Sequence, residues 1–184
     1  MRFKRIFPAI PSAPLIVLLI CLGSPGPAVW GNSLREYEIK AAYLYNFINY
    51  VEWPEQSLPP VGSAITIGVV GENPFGPALA PLNGKQIKGR TLVVKEVSLP
   101  ADLKQCQIVF ISSSEKERLP LILESLKDSK VLTVSEIDGF AEHGGMINFI
   151  SERNKVRFEI NHGLARTKGL TISSELLKLA RVKS

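Results

Sequence analysis

The first strongly patterned segment of this chain predicts a helix over residues 33–51. Apolar side chains return there every three or four positions, which is the period of an α-helix. Trp53-Pro54 predicts the end of the helix, because the residue before a proline disfavours the helical conformation. The apolar stripe consists of Leu34, Tyr37, Ala41, Leu44, Ile48 and Val51.

A second apolar stripe lies beside the first on the same predicted helix, rotated by roughly a quarter turn at about 100° per residue. A helix with two apolar faces must cover more than one neighbour. Either the sheet covers one face and another helix the other, or the tyrosine-rich stripe meets a partner chain, since aromatic residues are enriched at interfaces. In the second case the candidate partner interface is Ile39, Tyr43, Phe47 and Tyr50.

The middle of the chain predicts buried parallel strands. Four nearly continuous apolar runs cover residues 65–70, 91–97, 107–111 and 131–134. Such runs are typical of strands buried on both faces, whereas a half-exposed strand alternates apolar with polar residues.

Helical segments separate these runs. Asn73-Pro74 supplies an N-cap and a first-turn proline for a short helix. A capping box at Ser114 predicts a second helix. Pro120 conflicts with it, so that this helix either bends there or begins later, near Leu119.

The last part of the chain predicts a hairpin and a final helix. Two predicted strands over residues 146–151 and 156–160, the second alternating apolar with charged residues, flank a polar turn over residues 152–155, and a helix follows near Ser173. Together, the elements predict an α/β fold: a mostly parallel sheet with helices on both faces and a C-terminal antiparallel hairpin at one edge.

The chain begins with a pattern typical of a secretory signal peptide. Arg2, Lys4 and Arg5 precede an uncharged apolar stretch over residues 15–22, and small residues and prolines follow over residues 23–28. The apolar stretch is shorter than the roughly 20 residues of a membrane-spanning helix. We therefore predict a cleaved leader over residues 1–31 and a single domain over residues 32–184, which works outside the cytoplasm.

The processing of the leader stays open. Small residues permit cleavage after either Ala28 or Gly31. One alternative is a lipoprotein acylated at Cys21, although Ile20 is not the small residue that normally precedes such a cysteine. The other alternative is an uncleaved N-terminal anchor.

Removing the leader changes the charge and cysteine content of the chain. The formal net charge of +5 includes Arg2, Lys4 and Arg5, and without them 19 basic residues face 17 acidic ones. No basic block stands out, so nucleic-acid binding has no electrostatic support. Cys106 is then the lone cysteine, and because an apolar run follows it, we favour burial over a reactive or intermolecular thiol.

The chain contains none of the common catalytic or nucleotide-binding motifs. The two histidines, His143 and His162, lie in polar, turn-like segments, and their spacing predicts no metal site. We therefore expect no catalytic residue, no metal and no cofactor, and a protein that is not an enzyme.

A small-ligand pocket is predicted at the carboxyl ends of the strands, where ligands bind in doubly wound sheets. Glu72, Ser112 and Ser135 follow three of the predicted strands and form the candidate pocket. Helix caps and turns need the same residue types, and we favour that interpretation.

The placed motifs resemble the YfiR-like family of secreted bacterial proteins over essentially the whole chain after the leader, in the order of the family. The first motif is at the opening helix and the others at the hairpin and the final helix. They are residues 39–47 with 51–54, residues 139–149, residues 154–161 and residues 169–180.

The resemblance implies a periplasmic α/β protein that is not an enzyme. The family's namesake represses an inner-membrane diguanylate cyclase by binding its periplasmic domain, and an OmpA-like outer-membrane lipoprotein relieves that repression. Dimers are typical of the family. The namesake also has intramolecular disulfides, whereas Cys106 here stands alone. The expected function is therefore a regulatory binding protein acting on a membrane signalling protein; the alternative is a periplasmic small-ligand sensor.

Overall fold

The computed structural model describes residues 28–98 and 100–183. Residues 1–27 of the leader predicted over residues 1–31, with Cys21, lie outside the described residues, and residues 28–31 belong to the first helix.

Helix α1 covers Ala28–Tyr50, five residues more at its start than the periodicity predicted. Four members of its first stripe are buried, namely Ala41, Leu44, Ile48 and the following Val51, whereas Leu34 at the other end is exposed. The predicted stripe is thus the core-facing side of the helix, except at Leu34.

An eight-stranded sheet forms the body of the protein, in the order β10-β8-β7-β6-β5-β2-β4-β3. The short strands β1 and β9 form a separate antiparallel pair. The strands are β1 (Val51–Glu52), β2 (Ala64–Val70), β3 (Gln86–Ile87), β4 (Arg90–Glu96), β5 (Ile108–Ile111), β6 (Leu132–Ser135), β7 (Ile147–Glu152), β8 (Lys155–Asn161), β9 (Thr171–Ile172) and β10 (Arg181–Lys183).

The predicted fold class is confirmed. Strands β4, β2, β5, β6 and β7 are parallel neighbours, and β7 and β8 form the antiparallel C-terminal hairpin. The hairpin does not lie at the edge, however, because β10 pairs in parallel with the second half of β8. A three-residue strand at the chain end has too little pattern to be predicted.

The remaining helices are short: α2 (Pro100–Leu103), α3 (Leu119–Ser125), α4 (His162–Thr167) and α5 (Ser174–Leu179). The helix predicted after Asn73-Pro74 is a 3-10 helix over Gly76–Leu82, and a further 3-10 helix covers Ser113–Arg118. Helix α3 begins at Leu119 with Pro120 in its first turn, where a proline does not cost a hydrogen bond. The later start was one of the two predicted outcomes.

Two apolar cores lie on the two faces of the sheet, as expected of a parallel sheet with helices on both sides. One core contains the buried side of α1, and the other contains Leu119 and Ile122 of α3. Within the part of the chain that the structure describes, no helix combines the length and the apolar character needed to span a bilayer.

Candidate functional site

The second stripe of α1 is divided between core and surface. Ile39 is 42% exposed and Tyr50 41%, whereas Tyr43 is half-buried. Phe47 lies between them in sequence and is fully buried. The buried part of the second stripe, Tyr43 and Phe47, therefore packs on the β7–β8 hairpin and not on another helix.

The predicted interface needs a correction at Phe47. Its ring packs against Phe149 of β7 and Phe158 of β8, with centroids 5.9 and 5.4 Å away. A side chain that is already enclosed by its own chain has no surface to offer a partner. The interface candidates that remain are Ile39, Tyr43 and Tyr50.

Ile39 and Tyr43 line a groove between α1 and the β7–β8 hairpin, with a volume of about 640 Å³. We call it the basic groove. Tyr50 does not line it. The lining residues are Arg35, Glu36, Ile39, Tyr43, Ser151, Asn154, Lys155, Val156 and Arg157.

Tyr43 is held in place by aromatic neighbours below the groove. Its ring lies 5.1 Å from that of Phe158, edge to face, and 6.1 Å from that of Phe47. Such pairs contribute roughly 0.5–1.5 kcal/mol beyond burial. The floor of the groove is therefore a preformed apolar surface, which loses little conformational entropy when a partner binds.

The predicted ligand pocket does not form around the three residues proposed for it. Ser135 is fully buried, and its hydroxyl donates to the Ile111 carbonyl and accepts from the Ile137 amide. Ser112 is also buried, where it caps the 3-10 helix by accepting from the Ser114 amide. The prediction that Ser112 and Ser135 line a pocket is therefore wrong. Their hydroxyls satisfy backbone groups, in agreement with the favoured interpretation as caps and turns.

Glu72, the third predicted pocket residue, is exposed, and its backbone amide donates to Ser114 Oγ at 2.9 Å. The space beside it is closed. An added Cβ at Gly71 would lie 2.4 Å from Ser114 Oγ and 2.7 Å from Glu115 Cγ. The strand order reverses between β2 and β5, where ligands usually bind, and Ser114 and Glu115 fill the space directly over Gly71 there. A cavity of about 270 Å³ remains beside the end of β4, lined by Gly71, Glu96 and Glu115.

An open cavity of about 560 Å³ does exist at the carboxyl ends of the neighbouring strands. We call it the strand-end cavity. Ser113 follows β5, Glu136 follows β6 and Ser151 is the last residue but one of β7. Helix α1 closes one side of the cavity with Glu36, Tyr37 and Lys40.

An ion network of α1 and β6 lines the strand-end cavity. Lys40 Nζ is buried and lies 2.6 Å from Glu36 Oε1 and 2.5 Å from Glu136 Oε2. The Tyr37 hydroxyl donates to Glu136 at 3.1 Å. Burial, and then the charge of Glu136, raises the pKa of Tyr37 well above its usual range, so the hydroxyl stays a donor.

Sequence reasoning missed the residues of this cavity. Tyr37 was assigned to the first apolar stripe of the helix, Lys40 was given no role, and Glu136 stands one position after the predicted Ser135. One signal was available: Lys40 lies beside the apolar residues at positions 37, 41 and 44, on the side of the helix that faces the core. Since a lysine is seldom buried unless it is paired, this position indicates an acidic partner.

In the described part of the chain, the remaining reactive side chains do not form a site. Cys106 is buried and unpaired, as predicted, and burial raises the pKa of its thiol to about 11. A thiol with so high a pKa is a poor nucleophile at neutral pH. Among residues 28–98 and 100–183, no group of three or more His, Cys, Asp and Glu side chains is arranged to hold a metal ion.

Comparison with solved structures shows the fold. The chain is similar to a conserved domain protein from Vibrio cholerae O1 biovar eltor, at 13% identity and a TM-score of 0.55. It is also similar to an ABC domain in complex with L-Trp from Streptococcus pneumonia, at 12% identity and a TM-score of 0.52. Each alignment covers 80% of this chain but only 60% of the other, so the chain spans about 60% of the length of these proteins.

No curated protein matches the chain. A family model described as YfiR/HmsC-like, however, matches residues 37–181, from the middle of α1 to the first residue of β10. This range includes the whole eight-stranded sheet except for the end of β10, together with the basic groove from Ile39 to Arg157. The chain therefore belongs to the YfiR/HmsC-like family, and its membership supports a periplasmic regulatory role in general.

Proposed function

We propose that this protein is a secreted periplasmic regulator that inhibits a membrane diguanylate cyclase, or a related sensor protein, by binding its periplasmic domain. The observation that supports binding is the apolar floor of the basic groove. Ile39 and Tyr43 lie side by side there, one turn apart on α1, without being enclosed by their own chain. Exposed apolar clusters with a polar rim are typical of protein–protein contacts.

Further partners follow from the resemblance described above. We propose that an OmpA-like outer-membrane lipoprotein relieves the inhibition by sequestering the regulator, and that the regulator forms a homodimer. Tyr50 is a candidate for either of these contacts. It lies 11 residues from Ile39, about 16 Å along the helix at about 1.5 Å per residue, and outside the groove.

A test of the inhibitory role uses the native host. Deleting the gene should raise cellular cyclic-di-GMP, and the wild-type gene should restore the low level. The double variant Ile39→Asp/Tyr43→Ser should not restore it, because a buried charge and a lost aromatic anchor both oppose docking.

The matched control is Leu121→Asp, which changes a side chain that is 73% exposed on α3, on the other face of the sheet. It should restore the low level fully. Full restoration by the Ile39→Asp/Tyr43→Ser variant, secreted and folded at wild-type levels, would contradict a role for this surface. An unchanged cyclic-di-GMP level in the deletion strain would contradict the inhibitory function itself.

A second candidate function is a periplasmic small-ligand sensor, favoured by the strand-end cavity. Its volume of about 560 Å³ lies within the range of about 300–1,000 Å³ of small-molecule sites. The charged wall suits a polar or zwitterionic ligand. Amino acids are a reasonable first class to screen, since one structure of this fold holds L-Trp.

A thermal-shift screen tests the sensor hypothesis. A binding amino acid should raise the melting temperature, and Asp138→Asn, which changes an exposed carboxylate on the cavity wall, should reduce that shift. The control Asp128→Asn lies outside the cavity and should leave the shift unchanged. A screen without any shift would count against the sensor.

A further inference from the structure

We infer that the basic groove binds an extended, acidic segment of the partner protein, with at least one apolar side chain seated between Tyr43 and Val156. This inference rests on the proposed function and specifies the chemistry of the contact. Three features of the groove support it: its charge, its floor and the strand edge along its side.

The charge of the groove is one-sided. Arg35 contributes a cation from α1, and Lys155 and Arg157 contribute two from β8, against one carboxylate, that of Glu36. Glu36 is already paired with Lys40 at 2.6 Å. Within residues 28–98 and 100–183, none of the three groove cations forms an ion pair within 4.0 Å. An acidic segment therefore complements the groove.

The floor of the groove is apolar and is formed from two elements. Ile39 and Tyr43 come from α1, and Val156 comes from β8 and is half-buried. Tyr43 and Val156 pack on the core below, so that only part of their surface remains to be covered, and Ile39 beside them is 42% exposed. One apolar side chain of the partner suffices to cover such a floor. The acidic segment of the partner therefore needs only a single apolar residue at this point, and not a continuous run of them.

The side of the groove is an open strand edge. The two-residue turn Arg153-Asn154 has φ of 51° and 59°, as a type I′ turn requires, and it pairs Glu152 with Lys155. In this register the amide and carbonyl of Val156 point away from β7. The pairing of β10 with β8 begins only at Glu159. An extended segment can therefore hydrogen-bond to the Val156 backbone, as in strand addition.

The shape of the groove distinguishes a protein segment from a membrane surface. Anionic lipid also attracts cations and aromatic side chains, but a bilayer presents a broad surface. The apolar floor here lies in a concave groove of about 640 Å³ between α1 and the hairpin. A narrow segment reaches that floor, whereas lipid headgroups would contact only the cations on its rim.

The test is site-specific photo-crosslinking of the full-length protein in the native envelope. A photoreactive amino acid replaces Ser151, an exposed, neutral residue on the wall shared by the basic groove and the strand-end cavity, or Leu121 on α3 as the control. Mass spectrometry then identifies the crosslinked peptide. We expect the Ser151 probe, and not the Leu121 probe, to join a protein segment with net negative charge and an apolar residue.

A charge reversal tests the contribution of the cations. Lys155→Glu/Arg157→Glu should lower the Ser151 crosslink yield at least tenfold, and added salt should lower the wild-type yield. Lys104→Glu/Lys130→Glu makes the same change in net charge at exposed positions before β5 and β6, and it should leave the yield unchanged. Unfolding curves of each variant identify any loss that is due to misfolding.

The outcomes separate this inference from the proposed function. Crosslinks from Ser151 to lipid, or to a basic or neutral segment, overturn the acidic-segment inference. The proposed function then stands if gene deletion still raises cyclic-di-GMP. If the Ser151 probe joins no protein and gene deletion still raises cyclic-di-GMP, the acidic-segment inference is overturned and the proposed function stands. An unchanged cyclic-di-GMP level after deletion, without any protein crosslink, overturns both.

Discussion

Lys40 Nζ of α1 lies 2.5 Å from Glu136 Oε2 at the end of β6, although 96 positions separate the two residues in sequence. The lysine side chain is 7% exposed and the glutamate side chain 15%. A charge so enclosed depends on its partner, because neither solvent nor another cation can replace it. The pair therefore fixes the first half of α1 to the carboxyl ends of the strands.

Lys40→Met should destabilise the protein by about 3 kcal/mol, since it leaves Glu136 largely buried without its cation. Lys40→Met/Glu136→Gln should recover part of this loss, with a coupling free energy of about 1–3 kcal/mol in urea unfolding. Lys127→Met breaks an exposed pair with Glu124 and serves as the control, with an expected loss below about 1 kcal/mol. Equal losses for the buried and the exposed pair would contradict the structural role of Lys40.

Phe47→Ala should cost about 3–5 kcal/mol of unfolding free energy, because a fully buried ring is lost between Phe149 and Phe158. Ile39→Ser on the same stripe should cost less than about 1 kcal/mol, since this side chain is 42% exposed. Chemical denaturation of the two variants gives the comparison. Similar losses would show that Ile39 belongs to the core and is not available to a partner.

Alkaline pH should destabilise the protein through Cys106. Its pKa is raised by burial from 9.0 to about 11, so the unfolded chain loses the thiol proton first. This contribution is constant below pH 9 and falls as the pH rises from 9 to 11, by about 2–3 kcal/mol in total.

The measurement compares urea unfolding of the wild type with that of Cys106→Ala between pH 7 and pH 11. Other groups that titrate in this range cancel in the difference. We expect the wild type to lose stability relative to the variant only above about pH 9. A difference that does not change with pH would contradict the burial of a neutral thiol.

Gly71→Ala should destabilise the protein more than Gly62→Ala. Both glycines have positive φ, of 85° and 88°, so a side chain strains the backbone by roughly 1–2 kcal/mol at either position. At Gly71 the new Cβ would also meet Ser114 Oγ at 2.4 Å, whereas at Gly62 nothing lies within 4 Å. We expect a further loss of about 1–3 kcal/mol for Gly71→Ala in thermal or urea unfolding. Equal losses would mean that the crevice beside Gly71 is open.

The local elements of the fold were predictable because their signals are local. The spacing of apolar residues predicted α1, and continuous apolar runs predicted the strands β2, β4, β5 and β6. Pro120 left two possibilities for the next helix, a bend or a start near Leu119, and α3 begins at Leu119. Three-residue β10 has no comparable pattern, so its position outside the hairpin was not predictable.

The candidate site was predictable only in part, because exposure depends on distant neighbours. Ile39 and Phe47 belong to one stripe, and the sequence alone cannot show that Phe149 and Phe158 enclose only the second. Likewise, a serine after a strand either lines a pocket or satisfies the backbone. Ser135 does the latter, because the Ile111 carbonyl and the Ile137 amide are within its reach.

The position of α1 has a consequence for the order of folding. Its second stripe packs on β7 and β8, and Val51, directly after it, pairs with Ile172 of β9, more than a hundred residues later. Contacts of such high sequence separation form late and slow the folding of a domain. Tyr37 of the first stripe can pack early on Phe75, but the second stripe stays uncovered until β7 and β8 are available. The first helix of the described residues is thus among the last to be fully buried, and in that interval its second stripe needs protection from aggregation.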